Sequence, residues 1–485
     1  MNVPIRRLST LVAALFVALL VSTTYIQFVQ ATELHDRPGN RRTLLADYSR
    51  ERGSILVGGS AIAKSTPTKD DLKYLRSYPR ARLYSQVTGY YSFVYGAGGG
   101  LEGASDAFLS GSSDKLFYRR MVDLLTGRPP SGASLELTLD PKAQQAADQA
   151  LGDQRGAVVA LDPRTGAVLA MVSHPQYDPN RLSSHNLKSV QQAWADLTAD
   201  ERQPLVNRAV AGNLYPPGSV FKIVTAAAAL ESGTYTKDSE LPGPAVLDLP
   251  QTSVGLPNSG RSACGANGRT TLLHALEVSC NTAFGWLGLQ LGGDALRTQA
   301  AKFGFGTTLQ LPLRVTASSF PDNPNPPQTA QSAIGQFDVR VTPMQVAMVS
   351  AAVANGGVVM RPYLVKDVRS AALDVIEQTA PEQLGTAVTP QTAATLTEMM
   401  TAVVQSGTGT RAQVAGVQVA GKTGTAQHGE GTNPHAWFTA FAPAQDPKVA
   451  VAVVVEDGGN AGSEAAGGKV AAPIARAVME AVLGR

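Results

Sequence analysis

The 485-residue sequence predicts an α+β protein: one sheet drawn from both ends of a long C-terminal domain, a smaller N-terminal domain and a membrane helix. Three observations carry this reading. Apolar runs of strand length stand at residues 156–161 and 167–172, and again at 437–441 and 448–456. Segments with helical starts and stops lie between these pairs. Near the N-terminus, the run from Leu11 to Val21 contains no polar residue.

Arg6 and Arg7 precede that run, and residues 8–29 as a whole are long and apolar enough to cross a bilayer. The basic flank places residues 1–7 in the cytoplasm and everything after residue 30 outside. A cleaved signal peptide is the competing reading. Val21-Ser22-Thr23-Thr24 is a poor small-residue cleavage site, and bulky Tyr25, Ile26 and Phe28 follow it, so an uncleaved anchor is expected. A net charge of +3 with 16% charged residues leaves no nucleic-acid footprint. Pro- and Gly-rich stretches at 95–103, 320–327 and 458–468 read as surface loops. Asp162-Pro163-Arg164-Thr165-Gly166 has the chemistry of a turn between the first two strands. Residues 344–354 stop at Asn355-Gly356-Gly357 and read as a helix. So do 390–405, capped by Thr389 with Gly407 just past the end, and 472–483. Val417-Gln418-Val419-Ala420 alternates and reads as the start of a strand.

Ser219-Val220-Phe221-Lys222, Ser279-Cys280-Asn281 and Lys422-Thr423-Gly424-Thr425 follow in that order, an established signature of a serine acyl-transfer site. No single motif is informative: Ser-x-x-Lys recurs at Ser112 to Lys115, and Ser-x-Asn at Ser184 to Asn186. Flanking residues separate them. Tyr215-Pro216-Pro217-Gly218 halts the preceding segment and an Ala-rich, helix-forming run follows, so Ser219 falls at a helix N-terminus. Lys222, three residues on, then shares its face. Ser112 lies among Gly and Ser and reads as a loop or cap.

A serine hydroxyl needs a neighbouring base. Lys222 is the candidate, provided burial and a second cation, Lys422, keep it neutral. Ser279 would relay a proton to the leaving amine, and Asn281 would hold a substrate amide. Lys422 with Thr423 or Thr425 would clamp a carboxylate through charge-assisted hydrogen bonds. Gly424 would admit a substrate close to the strand, and the backbone N–H groups of Ser219 and Thr425 would form the oxyanion hole. Six scattered His and two Cys offer no metal-ligand spacing, so neither metal nor cofactor is expected. His428 and His435 read as polar or packing residues. Cys264 and Cys280 face an oxidising compartment, either bridged or as two buried thiols.

These residues resemble a class B penicillin-binding protein, a family of D,D-transpeptidases. The likeness extends to residues 156–163 and 166–171, to 331–336, to Val341-Thr342-Pro343-Met344-Gln345, to Gly407-Thr408-Gly409-Thr410 and to Arg52-Gly53-Ser54-Ile55. Length and the short N-terminal module are most similar to the actinobacterial penicillin-binding protein A group. The resemblance implies an antiparallel five-stranded sheet sandwiched by helices over residues 149–485, and a non-catalytic pedestal over 30–148. It also implies an acyl-enzyme on Ser219, peptidoglycan stem peptides ending in D-Ala-D-Ala as substrate, and acylation by β-lactams. Implied partners are a membrane glycan polymerase and division or elongation proteins. A D,D-carboxypeptidase would differ only in accepting water. A β-lactamase would need a deacylation base, and no glutamate motif stands between Ser279 and Lys422. A non-catalytic receptor or scaffold should have lost a motif residue, and none is missing.

Overall fold

The structure, a computed structural model, describes residues 2–30, 45, 48–117, 121, 125–127, 131–212, 214–372, 374–429, 431–464 and 466–485. Helix α1 (Asn2–Thr24) continues through a π turn to Val29, and this segment is long and apolar enough to cross a membrane. The principal elements that follow are strands β1 (Ile55–Val57), β2 (Ser60–Pro67), β3 (Tyr74–Ser77) and β4 (Ser134–Leu137), then helix α2 (Pro141–Leu151). Strands β5 (Gly156–Leu161) and β6 (Val168–His174) precede helices α3 (Lys222–Glu231), α4 (Asn281–Leu291) and α5 (Pro343–Ala354). Next come β7 (Val365–Arg369), β8 (Val375–Gln378) and α6 (Pro390–Gln405). The chain closes with β9 (Ala420–Ala426), β10 (His435–Ala442), β11 (Val449–Val455) and α7 (Gly467–Leu483).

Five antiparallel strands in the order β9-β10-β11-β5-β6 form the central sheet, as the resemblance implies. Both faces are covered, which is why β11 is a continuous apolar run with every residue buried. Alternate side chains divide between two cores. Ala157, Val159, Trp437 and Phe441 pack with α3 and α5, while Val158, Ala160, Phe438 and Val453 pack with α2 and α7. Thr342 and Thr389 cap α5 and α6 by accepting from the N–H groups of Gln345 and Thr392.

Three local expectations need correction. Strand β9 begins at Ala420, and Val417 instead closes a short bridge with Val414. Helix α7 begins at Gly467, well before residue 472, and runs through Pro473. Glycine and proline there argue against a helix in sequence, but a Cβ at Gly467 would stand 2.0 Å from the Trp437 carbonyl oxygen, so tight packing requires the glycine. The stretch 95–103 holds a short strand, Gly96–Gly98, and the start of helix Gly100–Ala104.

A second sheet of six strands, β8-β7-β4-β1-β2-β3, takes two strands from residues 365–378, far from the others in sequence. Beneath it lies a buried ion cluster. Arg52 and Arg76 both bond the fully buried carboxylate of Glu102, at 2.6 and 2.7 Å, and Arg52 reaches Asp106 at 2.6 Å. The Arg52 guanidinium also sits 4.2 Å above the Tyr91 ring.

Candidate active site

Ser219 lies in a 3₁₀ turn, Gly218–Phe221, that leads directly into α3. The approach to it is held at several points. Tyr215 exchanges backbone hydrogen bonds with Val341, and the buried Trp437 indole donates to the Pro216 carbonyl at 3.1 Å. The Gly218 N–H donates to the Gly335 carbonyl. Gly218 has φ +54°, and a Cβ there would lie 2.6 Å from the Thr425 carbonyl oxygen, so the turn is pressed against β9.

Lys222 and Lys422 are both fully buried, and among the described residues neither pairs with a carboxylate. Lys222 Nζ contacts the Ser279 carbonyl at 2.7 Å, the Asn281 Oδ1 at 2.7 Å and the Ser279 hydroxyl at 3.3 Å. The first two are pure acceptors and use both hydrogens of a neutral amine, which leaves its lone pair for a hydroxyl. Lys422 Nζ contacts the same Ser279 hydroxyl at 2.9 Å, and the Thr423 carbonyl and hydroxyl at 3.0 and 3.3 Å. Burial, and then the Lys422 charge, hold the Lys222 amine well below the usual lysine range. Burial brings Lys422 down to about 7. The Ser219 hydroxyl is hydrogen-bonded to neither amine; their converging point is Ser279.

The second motif joins the site through an unusual backbone. Ser279 adopts φ +62°, a conformation uncommon outside glycine, and its neighbour Cys280 is bridged to Cys264. Asn258, absent from the sequence reading, braces the turn from behind. Its Oδ1 accepts from the N–H groups of Asn281 and Thr282, and its amide donates to the carbonyls of Pro244 and Ser262. Thr408 was visible only as part of a Gly-Thr repeat, yet its hydroxyl meets that of Thr423 at 2.7 Å.

Gly424 has a different reason from the one expected. A Cβ there would lie 2.9–3.0 Å from Trp437 Cβ, Pro217 O and Val220 Cγ1. The nucleophile turn occupies that space, so the glycine admits the turn to the strand. Thr425 is exposed on β9, an edge of the sheet. The rival motif copies serve elsewhere: Lys115 pairs with Glu377, and Asn186 caps a helix by accepting from the Ser189 N–H.

Fold and site together define a serine acyl-transfer domain built on an antiparallel sheet, preceded by an N-terminal module whose sheet is completed by β7 and β8. The family model described as the penicillin-binding protein transpeptidase domain matches residues 156–480, and that of the penicillin-binding protein A dimerisation domain matches residues 52–135. The chain belongs to the penicillin-binding protein transpeptidase family, class B. It is 46% identical to the peptidoglycan D,D-transpeptidase PbpA of Mycolicibacterium smegmatis, over all of this chain and 99% of that protein. Against PbpA of Mycobacterium tuberculosis the identity is 45%, with the same coverage. The ceftriaxone acyl-enzyme complex of M. tuberculosis penicillin-binding protein A superposes with a TM-score of 0.87 at 44% identity, covering 90% of this chain and all of that one. For its penicillin G acyl-enzyme complex the TM-score is 0.85 at 45% identity, with the same coverage.

Proposed function

We propose that the protein is a membrane-anchored peptidoglycan D,D-transpeptidase acting through an acyl-enzyme on Ser219. The observation that carries the mechanism is the pair of buried lysines meeting at Ser279, neither paired with a carboxylate among the described residues. Neutral Lys222 takes the Ser219 proton as the oxygen attacks the penultimate D-Ala carbonyl of a stem peptide. Attack requires Lys222 to exchange its contact with Ser279 for one with Ser219. The backbone N–H groups of Ser219 and Thr425 stabilise the tetrahedral oxyanion. The C–N bond then breaks, and terminal D-Ala leaves with a proton relayed through Ser279. An amine on a neighbouring strand attacks the ester and restores Ser219. Lys422, Thr423 and Thr425 bind the terminal carboxylate, and Asn281 orients the substrate amide. Penicillins present a carboxylate and a carbonyl to the same groups and stay on Ser219.

Residues 1–7 lie in the cytoplasm, 8–29 cross the membrane, 30–148 form the pedestal and 149–485 the catalytic domain outside, the orientation resting on Arg6 and Arg7. The pedestal is the surface offered to a glycan polymerase and to division or elongation proteins.

The test is labelling with a fluorescent penicillin followed by peptide mapping. Label should sit on Ser219 and persist. Ser219→Ala should abolish it while stability stays within about 0.5 kcal/mol, since the side chain is half-buried and makes no hydrogen bond among the described residues. Label retained in that variant would exclude Ser219 as the nucleophile.

A further inference from the structure

Exposed apolar side chains are ordinary when scattered singly, but at one corner of the N-terminal module they gather. Phe117, Met121 and Leu125 are helical, four residues apart, and 51%, 44% and 81% exposed. That spacing puts all three on one helical face. Val375, on the edge strand β8, is exposed as well, and the 2.6 Å pair between Lys115 and Glu377 brings that strand beside the start of the helical stretch. An apolar helical face in a folded domain ordinarily turns inward; this one meets solvent.

The same corner is where the chain arrives from the apolar helix α1. The Gly132 N–H donates to the Glu51 carbonyl, Ser131 bridges Glu51, and the Gly53 N–H donates to the Leu109 carbonyl. Residues 112–130 therefore leave and rejoin the module at 51–53. Gln30 caps the end of the apolar helix, and the Leu45 carbonyl already accepts from the Ser49 N–H. The stretch between Gln30 and Leu45 reaches about 50 Å at full extension, so the anchor holds this corner close to the bilayer.

Area and tethering both favour lipid over protein as the occupant. Four such side chains expose a few hundred Å², short of the about 800 Å² that a stable protein interface takes from each partner. A lipid surface sets no such minimum. The anchor keeps the face at high local concentration beside the bilayer, so an affinity too weak to recruit a free protein suffices. Basic and acidic residues balance over 114–130 once Asp374 and Glu377 are counted, so no acidic excess repels an anionic headgroup layer.

We propose that Phe117, Met121 and Leu125 insert into the headgroup–acyl boundary of the membrane, giving the N-terminal module a second lipid contact beside its anchor. The inference rests on the membrane-anchored reading. Two contacts restrict the tilt of the module, and with it that of the catalytic domain, which contributes strands to the same sheet.

The full chain is reconstituted into phosphatidylcholine–phosphatidylglycerol vesicles with a bimane probe on Leu125→Cys, the only free thiol because Cys264 and Cys280 are bridged. Lipids carrying a nitroxide near the headgroup end of the acyl chain should halve its emission, as for a group buried at that boundary. The same probe on Val254→Cys, 69% exposed on the catalytic domain, should be left nearly unchanged. Met121→Asp, at an exposed position that spares the fold, should remove most of the quenching at residue 125, because a carboxylate resists entry into lipid. An unquenched Leu125→Cys probe in vesicle-bound protein, or quenching that survives Met121→Asp, overturns the insertion. So does a probe that lipid leaves unquenched but that becomes shielded as protein concentration rises in detergent, the mark of a second copy on this face. Protein that does not float with the vesicles at all would mark failure of the anchor reading instead.

Discussion

Lys422, like Lys222, is a lysine whose burial conflicts openly with stability. Its pKa falls from 10.5 to about 7 on folding. Between these values the unfolded chain binds more protons than the folded one, so stability rises with pH across that window. The benefit is complete above the unfolded value and lost as pH falls toward 7. Lys422→Met should therefore be more stable than the parent at pH 7, with the gap narrowing toward pH 10, as read by urea unfolding at both values. A gap that stays constant between the two pH values would show that Lys422 is charged in the folded protein throughout. The same variant should lose most penicillin acylation, since the amine bonds the Ser279 hydroxyl and stands where the carboxylate is proposed to bind. The lysines, serines and asparagine of the site were legible because their chemistry fixes residue type and order. Asn258 and the true reason for Gly424 were not. Both depend on which backbone lies opposite, Thr282 in one case and Pro217 in the other, and no local spacing encodes that.

Among the elements, the turn that carries Ser279 depends most on a covalent tie. The disulfide joins Cys280, at the start of α4, to Cys264, with Cα atoms 5.9 Å apart and a sequence separation of 16. A loop of that length is worth about 3 kcal/mol in the chain-entropy account. Cys264→Ser should cost about 2–4 kcal/mol by denaturant unfolding and should slow acylation by releasing Ser279 from its left-handed conformation. Unchanged acylation in a folded Cys264→Ser protein would show that Asn258 alone holds the turn. Strands β5, β10 and β11 and helices α5 and α6 were legible because a run buried on both sides, or a Thr-Pro start, marks the element by itself. The N-terminal reach of α7 was hidden for the opposite reason. Gly467 and Gly468 are poor helix formers, and only the proximity of Trp437 and Thr408 makes them necessary.

At the scale of the whole molecule, the N-terminal module is wired to the nucleophile by a short chain of contacts. The Gln86 amide donates to the Pro204 carbonyl, and Asn207 donates to the Gln86 carbonyl. Arg208 follows at once, fully buried and bonded to Glu456, which also holds Tyr215 just ahead of the Ser219 turn. The two parts share a sheet as well, because β4 pairs with β1 on one side and β7 on the other. A chain starting at residue 140 would lose β1 to β4, leave β7 paired with β8 alone and release the 204–208 segment. Such a chain should melt lower than the parent lacking only its N-terminal apolar helix. Its second-order acylation rate with penicillin should fall roughly tenfold or more, because small displacements of a nucleophile are costly. Arg208 and Glu456 should partly shield it, since both lie within the remaining chain. If the shortened protein matched its parent in both melting temperature and acylation rate, the N-terminal module would be a spacer, and the contacts through Gln86 would carry no positional information to Ser219.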